Sequence, residues 1–138
     1  MAVAPANKVR QVLEYAVTQI PPYKINMGIP NYGYDWKLPF EKGVSRAKLI
    51  GCEEAIEIAQ RYGAEIQYDD LAESPFFHYT SETGEEHEVW FEDARSIMAK
   101  FELVAEFKFR GVGYWNLMRS FVTNWMIAAI KFDINKIV

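Results

Sequence analysis

Two short stretches of this sequence carry aromatic rings at a spacing suited to gripping a ligand. In Tyr32-Gly33-Tyr34-Asp35-Trp36 a ring stands at every second position. An extended backbone would therefore place Tyr32, Tyr34 and Trp36 on one side and point Asp35 the other way. The second stretch is Tyr114-Trp115. Each cluster of rings follows a short apolar run, Ile25 to Ile29 in one case and Gly111 to Gly113 in the other, so both clusters read as strand ends. Exposed ring faces bind flat apolar surfaces, and sugars present such surfaces; the competing reading is that the rings fill core. The paired acids Asp69-Asp70 and Glu85-Glu86 fall in a loop and a hairpin turn, where solvated charge is the expected role. Cys52, His78 and His87 have no zinc-like spacing, so neither a metal nor a disulfide is expected, and no cofactor motif is present.

Elements that would position the rings can be read from periodicity. Asn7 is a candidate cap for a helix with Val9, Val12, Leu13, Ala16, Val17 and Ile20 on one face, ended by Pro21-Pro22. The run from Lys24 to Ile29 then reads as a strand covered on both faces. Pro39 to Ser45 reads as loop, and Glu53 to Tyr62 as a helix closed by Gly63. The period changes to two in Ile66-Gln67-Tyr68, Phe76 to Tyr79 and Glu88 to Phe91, with Thr83-Gly84 as a turn. Asp93 caps a helix bearing Ile97, Phe101, Val104 and Ala105. A second buried strand follows over Gly111 to Leu117, then a helix from Trp125 to about Lys131 with Asn124 as its cap. The order is helix, strand, helix, antiparallel insertion, helix, strand, helix. In parallel α/β folds ligands sit at the C-terminal ends of the strands, where both aromatic clusters fall.

The 138 residues have the size of one domain, yet half are hydrophobic and 15% aromatic, a balance typical of a piece of something larger. A net charge of -4 argues against nucleic acid or anionic lipid as partner and favours a neutral ligand. No apolar run approaches the roughly 20 residues that span a bilayer.

The quoted residues resemble the C-terminal half of glycoside hydrolase family 18, the chitinase-like (β/α)8 barrels. Met27-Gly28-Ile29-Pro30-Asn31-Tyr32-Gly33-Tyr34 is similar to that family's seventh-strand motif, M-G-(I/M)-P-x-Y-G-x. Phe91-Glu92-Asp93 with Ser96 to Lys100 resembles the entry to its seventh helix, and Gly111-Val112-Gly113-Tyr114-Trp115 its eighth strand. Gly33-Tyr34-Asp35-Trp36 and Ser74-Pro75-Phe76-Phe77 resemble the branch of spore-cortex-lytic N-acetylglucosaminidases. The resemblance implies an α/β fold, the C-terminal portion of a (β/α)8 TIM barrel with a small antiparallel α+β insertion over about residues 39–92. It also implies a fragment, since a whole barrel needs about 250 residues.

For function, the resemblance implies a segment of a hydrolase of N-acetylglucosamine-containing glycan, peptidoglycan or chitin-like, working by substrate assistance in the full-length protein. The family's fourth-strand acidic motif, D-x-x-D-x-D-x-E, does not occur in this sequence, so no catalytic residue is assigned here and the isolated chain is expected to be inactive. Asn116-Leu117-Met118 departs from the small residue usual after the eighth-strand tryptophan. Tyr32, Tyr34, Asp35, Trp36 and Trp115 are the substrate-binding candidates, with Trp115 as the floor under the sugar. The alternative is a non-catalytic glycan-binding module of the same fold. The expected partner is carbohydrate, without nucleic acid or membrane, in an extracellular, cell-wall or spore setting. Two open strand edges further predict self-association, most simply a homodimer.

Overall fold

The computed structural model describes residues 1–116, 118, 119, 121–132 and 134. Two layers of structure share the chain, each with its own core. Helix α1 (Ala6–Gln19) leads through a turn at Pro22–Lys24 into strand β1 (Asn26–Pro30), which pairs in parallel with β7 (Gly111–Trp115). Helices α3 (Ala94–Glu106) and α4 (Val122–Lys131) pack behind this pair. Leu13, Met27, Ile29, Ile97, Phe101 and Val104 form the shared core, with α1 tied to α3 by a two-pronged pair of Arg10 with Glu106 at 2.6 and 2.7 Å.

Between β1 and α3 the chain builds an antiparallel sheet in the order β3-β2-β6-β5-β4. Its strands are β2 (Tyr32–Lys37), β3 (Lys48–Gly51), β4 (Gln67–Asp69), β5 (Ser74–Thr80) and β6 (Glu86–Trp90). Helix α2 (Cys52–Tyr62) covers one face, and Ile50, Cys52, Ala55, Ala59, Phe77, Val89 and Phe91 fill the space between. Gly63 ends α2 in the left-handed region at φ 61°, and Gly84 does the same for the β5–β6 turn at φ 80°. Gly33 is required by a close approach, because a Cβ there would lie 2.5 Å from the Trp90 carbonyl oxygen.

Several expectations need correction. The sheet takes in β2 from Tyr32 onward, upstream of the start at residue 39, and β3 was not anticipated at all. A four-residue edge strand with Ile50 as its one buried side chain has too little periodicity to be seen. Strand β1 is buried on one face only: Met27 and Ile29 point into the core, whereas Asn26 and Gly28 are exposed. Asn7 does not cap α1, whose N-cap is Pro5; the Asn7 carboxamide oxygen accepts from the neighbouring Lys8 N–H. Nor does Asn124 cap α4. It sits buried in the first turn and accepts a hydrogen bond from the Tyr114 hydroxyl at 3.1 Å, so a tertiary partner takes the group that capping would have used. The expected strand end at Leu117 lies outside the described residues. Asp93 behaves as anticipated, accepting from the Arg95 and Ser96 amides at the start of α3.

Where β6 hands over to α3, the buried pair Glu92 and Lys100 meets at 2.9 Å, with exposures of 1% and 0%. Burial raises the Glu92 carboxyl, and the Lys100 charge opposes that shift. An uncompensated carboxylate here would be costly. Lys100→Met should destabilise the chain by about 3–5 kcal/mol in urea unfolding near neutral pH, and Glu92→Leu with Lys100→Met together should recover most of the loss. In the single variant Glu92 keeps a raised pKa without its counterion, so the stability it retains is present at low pH and is lost as pH rises. The deficit should therefore shrink between about pH 8 and about pH 5. A cost below about 1 kcal/mol, or one indifferent to pH, would contradict the pairing.

Candidate functional site

In β2 the alternation places Tyr32, Tyr34 and Trp36 on the sheet face opposite α2. The rings form an edge-to-face row with centroids 5.7 Å apart at both steps, and Phe40 extends it at 5.3 Å from Trp36. All three strand rings are half-buried. Antiparallel pairing sets Trp90 beside Tyr34 and Phe76 beside Trp90, and these last two rings stack at 4.7 Å. A cavity of about 470 Å³ opens along Tyr34, Trp36 and Trp90, bordered by the residues that precede α1. The Trp36 Nε1–H donates to the Met1 carbonyl oxygen at 3.1 Å, which ties that segment to the ring face. Burial first, and then the Tyr34 hydroxyl, push the Tyr32 hydroxyl up to about 12. It thus stays protonated near neutrality and can donate to a neutral ligand.

Asp35 lies on the other side of β2. Its carboxylate accepts from the Tyr79 hydroxyl at 2.9 Å and meets His87 Nδ1 at 2.7 Å, and the side chain is 6% exposed. Tyr79 is itself stacked between Tyr62 and His87. Burial, followed by the hydrogen bond to Asp35, raises the Tyr79 hydroxyl. The structure therefore separates Asp35 from the ring row and commits both its oxygens to the insertion.

Trp115 ends β7 opposite Pro30 in the parallel register and is 69% exposed. Its carbonyl oxygen accepts from the Asn31 amide at 3.3 Å, and the Trp115–Asn116 peptide is cis. One backbone bond thus joins Trp115 to the residue before Tyr32, although among the described residues no ring of the β2 row stacks on it. Both aromatic clusters accordingly stand at the C-terminal end of the β1–β7 pair. Tyr114, the neighbour of Trp115, instead packs toward α4 against Trp125, with ring centroids 4.9 Å apart.

Sequence reasoning missed two participants. Trp90 belongs to the same face through cross-strand register, which single-strand periodicity does not disclose. Asn31 is 1% exposed, and its Nδ2 donates to the carbonyl oxygens of Asn116 and Arg119, both at 2.7 Å. Nothing about a lone asparagine between a proline and a tyrosine signals such a clamp. Among the described residues, no group of three or more His, Cys, Asp or Glu side chains is arranged to hold a metal ion. Cys52 is buried, and that burial pushes its thiol up to about 12, which leaves it inert as a nucleophile near neutral pH.

Comparison with known proteins bears directly on this geometry. The cortical fragment-lytic enzyme of Bacillus subtilis (strain 168) is 49% identical over 135 residues, covering 98% of this chain and 31% of that protein. The crystal structure of the Bacillus megaterium spore cortex-lytic enzyme SleL superposes with a TM-score of 0.94 at 54% identity, over 100% of this chain and 32% of that one. A chitinase structure from Chromobacterium violaceum matches 95% of this chain and 40% of its own at 31% identity, with a TM-score of 0.85. The chain thus spans about a third of the length of these relatives, and its architecture is that of a partial (β/α)8 barrel. The model of glycosyl hydrolases family 18 matches residues 4–119, and the chain belongs to that family.

Proposed function

We propose that this chain supplies the substrate-binding rim of a glycosidase acting on N-acetylglucosamine-containing glycan, with peptidoglycan of the spore cortex as the first substrate to try. The observation that carries the reading is the exposed Trp115 at the end of β7, joined through Asn31 to the Tyr32–Trp36 row. A flat exposed indole in that place suits the apolar face of a pyranose, and the ring row offers further faces in line with it. Tyr32, protonated, donates a hydrogen bond to a sugar hydroxyl or carbonyl. Asp35 serves the site indirectly, by anchoring β2 to Tyr79 and His87 so that the rings stay turned outward. The named specialisation of the relatives in cortex lysis supports the choice of glycan.

Bond cleavage is the work of the complete barrel. There an acid protonates the leaving oxygen while the substrate's N-acetyl carbonyl oxygen attacks the anomeric carbon, so no protein nucleophile is needed. In this reading the segment holds the sugar against that chemistry, and the family's fourth-strand acidic motif does not occur in its sequence. Without such proton transfer, turnover by the isolated chain should be absent.

The test places Trp115→Ala in the complete barrel and also assays the purified 138-residue chain on a chromogenic N-acetylglucosaminide. The chain alone should show no turnover. In the barrel, Trp115→Ala should weaken saccharide binding roughly tenfold or more, the scale of one lost stacking contact, and leave the melting temperature within a few degrees. A collapsed melting temperature with normal binding by the folded remainder would return Trp115 to a core role. Binding without turnover by an intact complete barrel would favour the glycan-binding module instead.

We also propose that the isolated chain self-associates. The exposed faces of Gly28 and Gly113 and the outer edges of a two-stranded parallel sheet leave backbone groups and apolar surface open. A two-fold dimer satisfies both copies at once. Light scattering over a wide concentration range should report a dimer or larger species; a monomer throughout would refute it.

A further inference from the structure

Asn31 stands at the point where β1 leaves the parallel pair and the chain turns into β2. It is one of the most deeply buried polar residues, 1% exposed, and every hydrogen on its polar atoms points at the end of β7 or the segment after it. Its backbone N–H bonds the Trp115 carbonyl oxygen at 3.3 Å, and its two amide hydrogens are spent on the Asn116 and Arg119 carbonyl oxygens. One side chain therefore grips the backbone on the C-terminal side of Trp115 at two places. Among the described residues its carboxamide oxygen has no hydrogen-bond partner. The two acceptors fix the orientation of the group, because a flipped amide would set an oxygen against two carbonyl oxygens. Among the described residues the gripped segment has further attachments: Arg119 reaches Glu54 of α2 at 4.0 Å, and Phe121 is buried in the insertion core. Neither attachment is made through Asn31, so both are expected to survive its loss.

We infer that Asn31 is the positioning residue of the rim: its carboxamide holds the Trp115 carbonyl-side backbone in register with the end of β1 and thereby fixes the indole relative to the Tyr32 row. The inference rests on the reading of Trp115 as a sugar-stacking surface for its functional meaning, but its structural content stands apart from that reading. The side-chain hydrogen bonds of Asn31 go to the backbone of Asn116 and Arg119, whereas Trp125 packs on Tyr114, Trp36 on Tyr34 and Trp90 on Phe76. Of the four tryptophan environments, that of Trp115 is the one expected to change with Asn31.

The chain is prepared with 5-fluorotryptophan, and the Trp115 resonance is assigned through Trp115→Phe. In Asn31→Ala the Trp115 fluorine signal should shift and broaden while those of Trp36, Trp90 and Trp125 keep their positions. Asn31→Ser, which retains one donor, should give an intermediate change and guards against a variant that fails to fold. In the complete barrel, Asn31→Ser should raise KM for a glycan substrate about tenfold, the worth of roughly one to two hydrogen bonds, with a smaller change in kcat. An unmoved Trp115 signal, or equal movement of all four signals, overturns the inference. If the Trp115 signal moves selectively while Trp115→Ala leaves glycan binding intact, the positioning role stands and the sugar-floor reading falls.

Discussion

The parallel register of β1 with β7 is the constraint on which the rest of the site depends. Pairing Asn26 with Gly111 obliges Pro30 to face Trp115 four residues later, so both chains leave the sheet at the same height. Whatever follows each strand must then share a small volume. After β1 comes Asn31, whose three donors all close onto the end of β7 and the residues that follow it, and then the ring row of β2. Proline at the last position of β1 has no amide hydrogen to offer the ladder, which suits a strand that must end there.

Two cores meet across this junction, and a buried ion pair and one buried ring help to join them. Glu92 and Lys100 pair in full burial where β6 passes into α3, and Asp93 caps that helix one residue later. Phe121 crosses in the other direction, from the segment after β7 into the core of the insertion. Buried charge of this kind adds little net stability but penalises any arrangement that separates the partners. The orientation of the insertion relative to β1 and β7, and so of the ring row relative to Trp115, follows from that penalty together with the absence of a Cβ at Gly33.

Much of this was visible beforehand because it rests on local signals. Alternation in Tyr32 to Trp36 did set the rings on one face with Asp35 opposite, Asp93 did cap its helix, and Gly63 and Gly84 did mark a helix end and a turn. The failures have more than one cause. Asn7 loses the cap position locally, to Pro5 two residues upstream, whereas the side chain of Asn124 is claimed by Tyr114 from β7. The partners of Asp35 were equally out of view, since Tyr79 and His87, which meet its two oxygens, come from two other strands. Trp90 and Asn31 join the candidate site only through pairings that no single segment encodes.

In the proposed arrangement glycan lies across the C-terminal end of the β1–β7 pair, on Trp115 and along the ring row. A crystal structure of a complete family-18 barrel bearing this segment, bound to an N-acetylglucosamine oligomer, would decide the matter. A pyranose face is expected within about 4 Å of the Trp115 indole, ordinary van der Waals contact, with Tyr32 hydrogen-bonded to a sugar and adjoining units running toward Tyr34 and Trp36. An oligomer bound in the barrel with Trp115 and Tyr32 both untouched would contradict it.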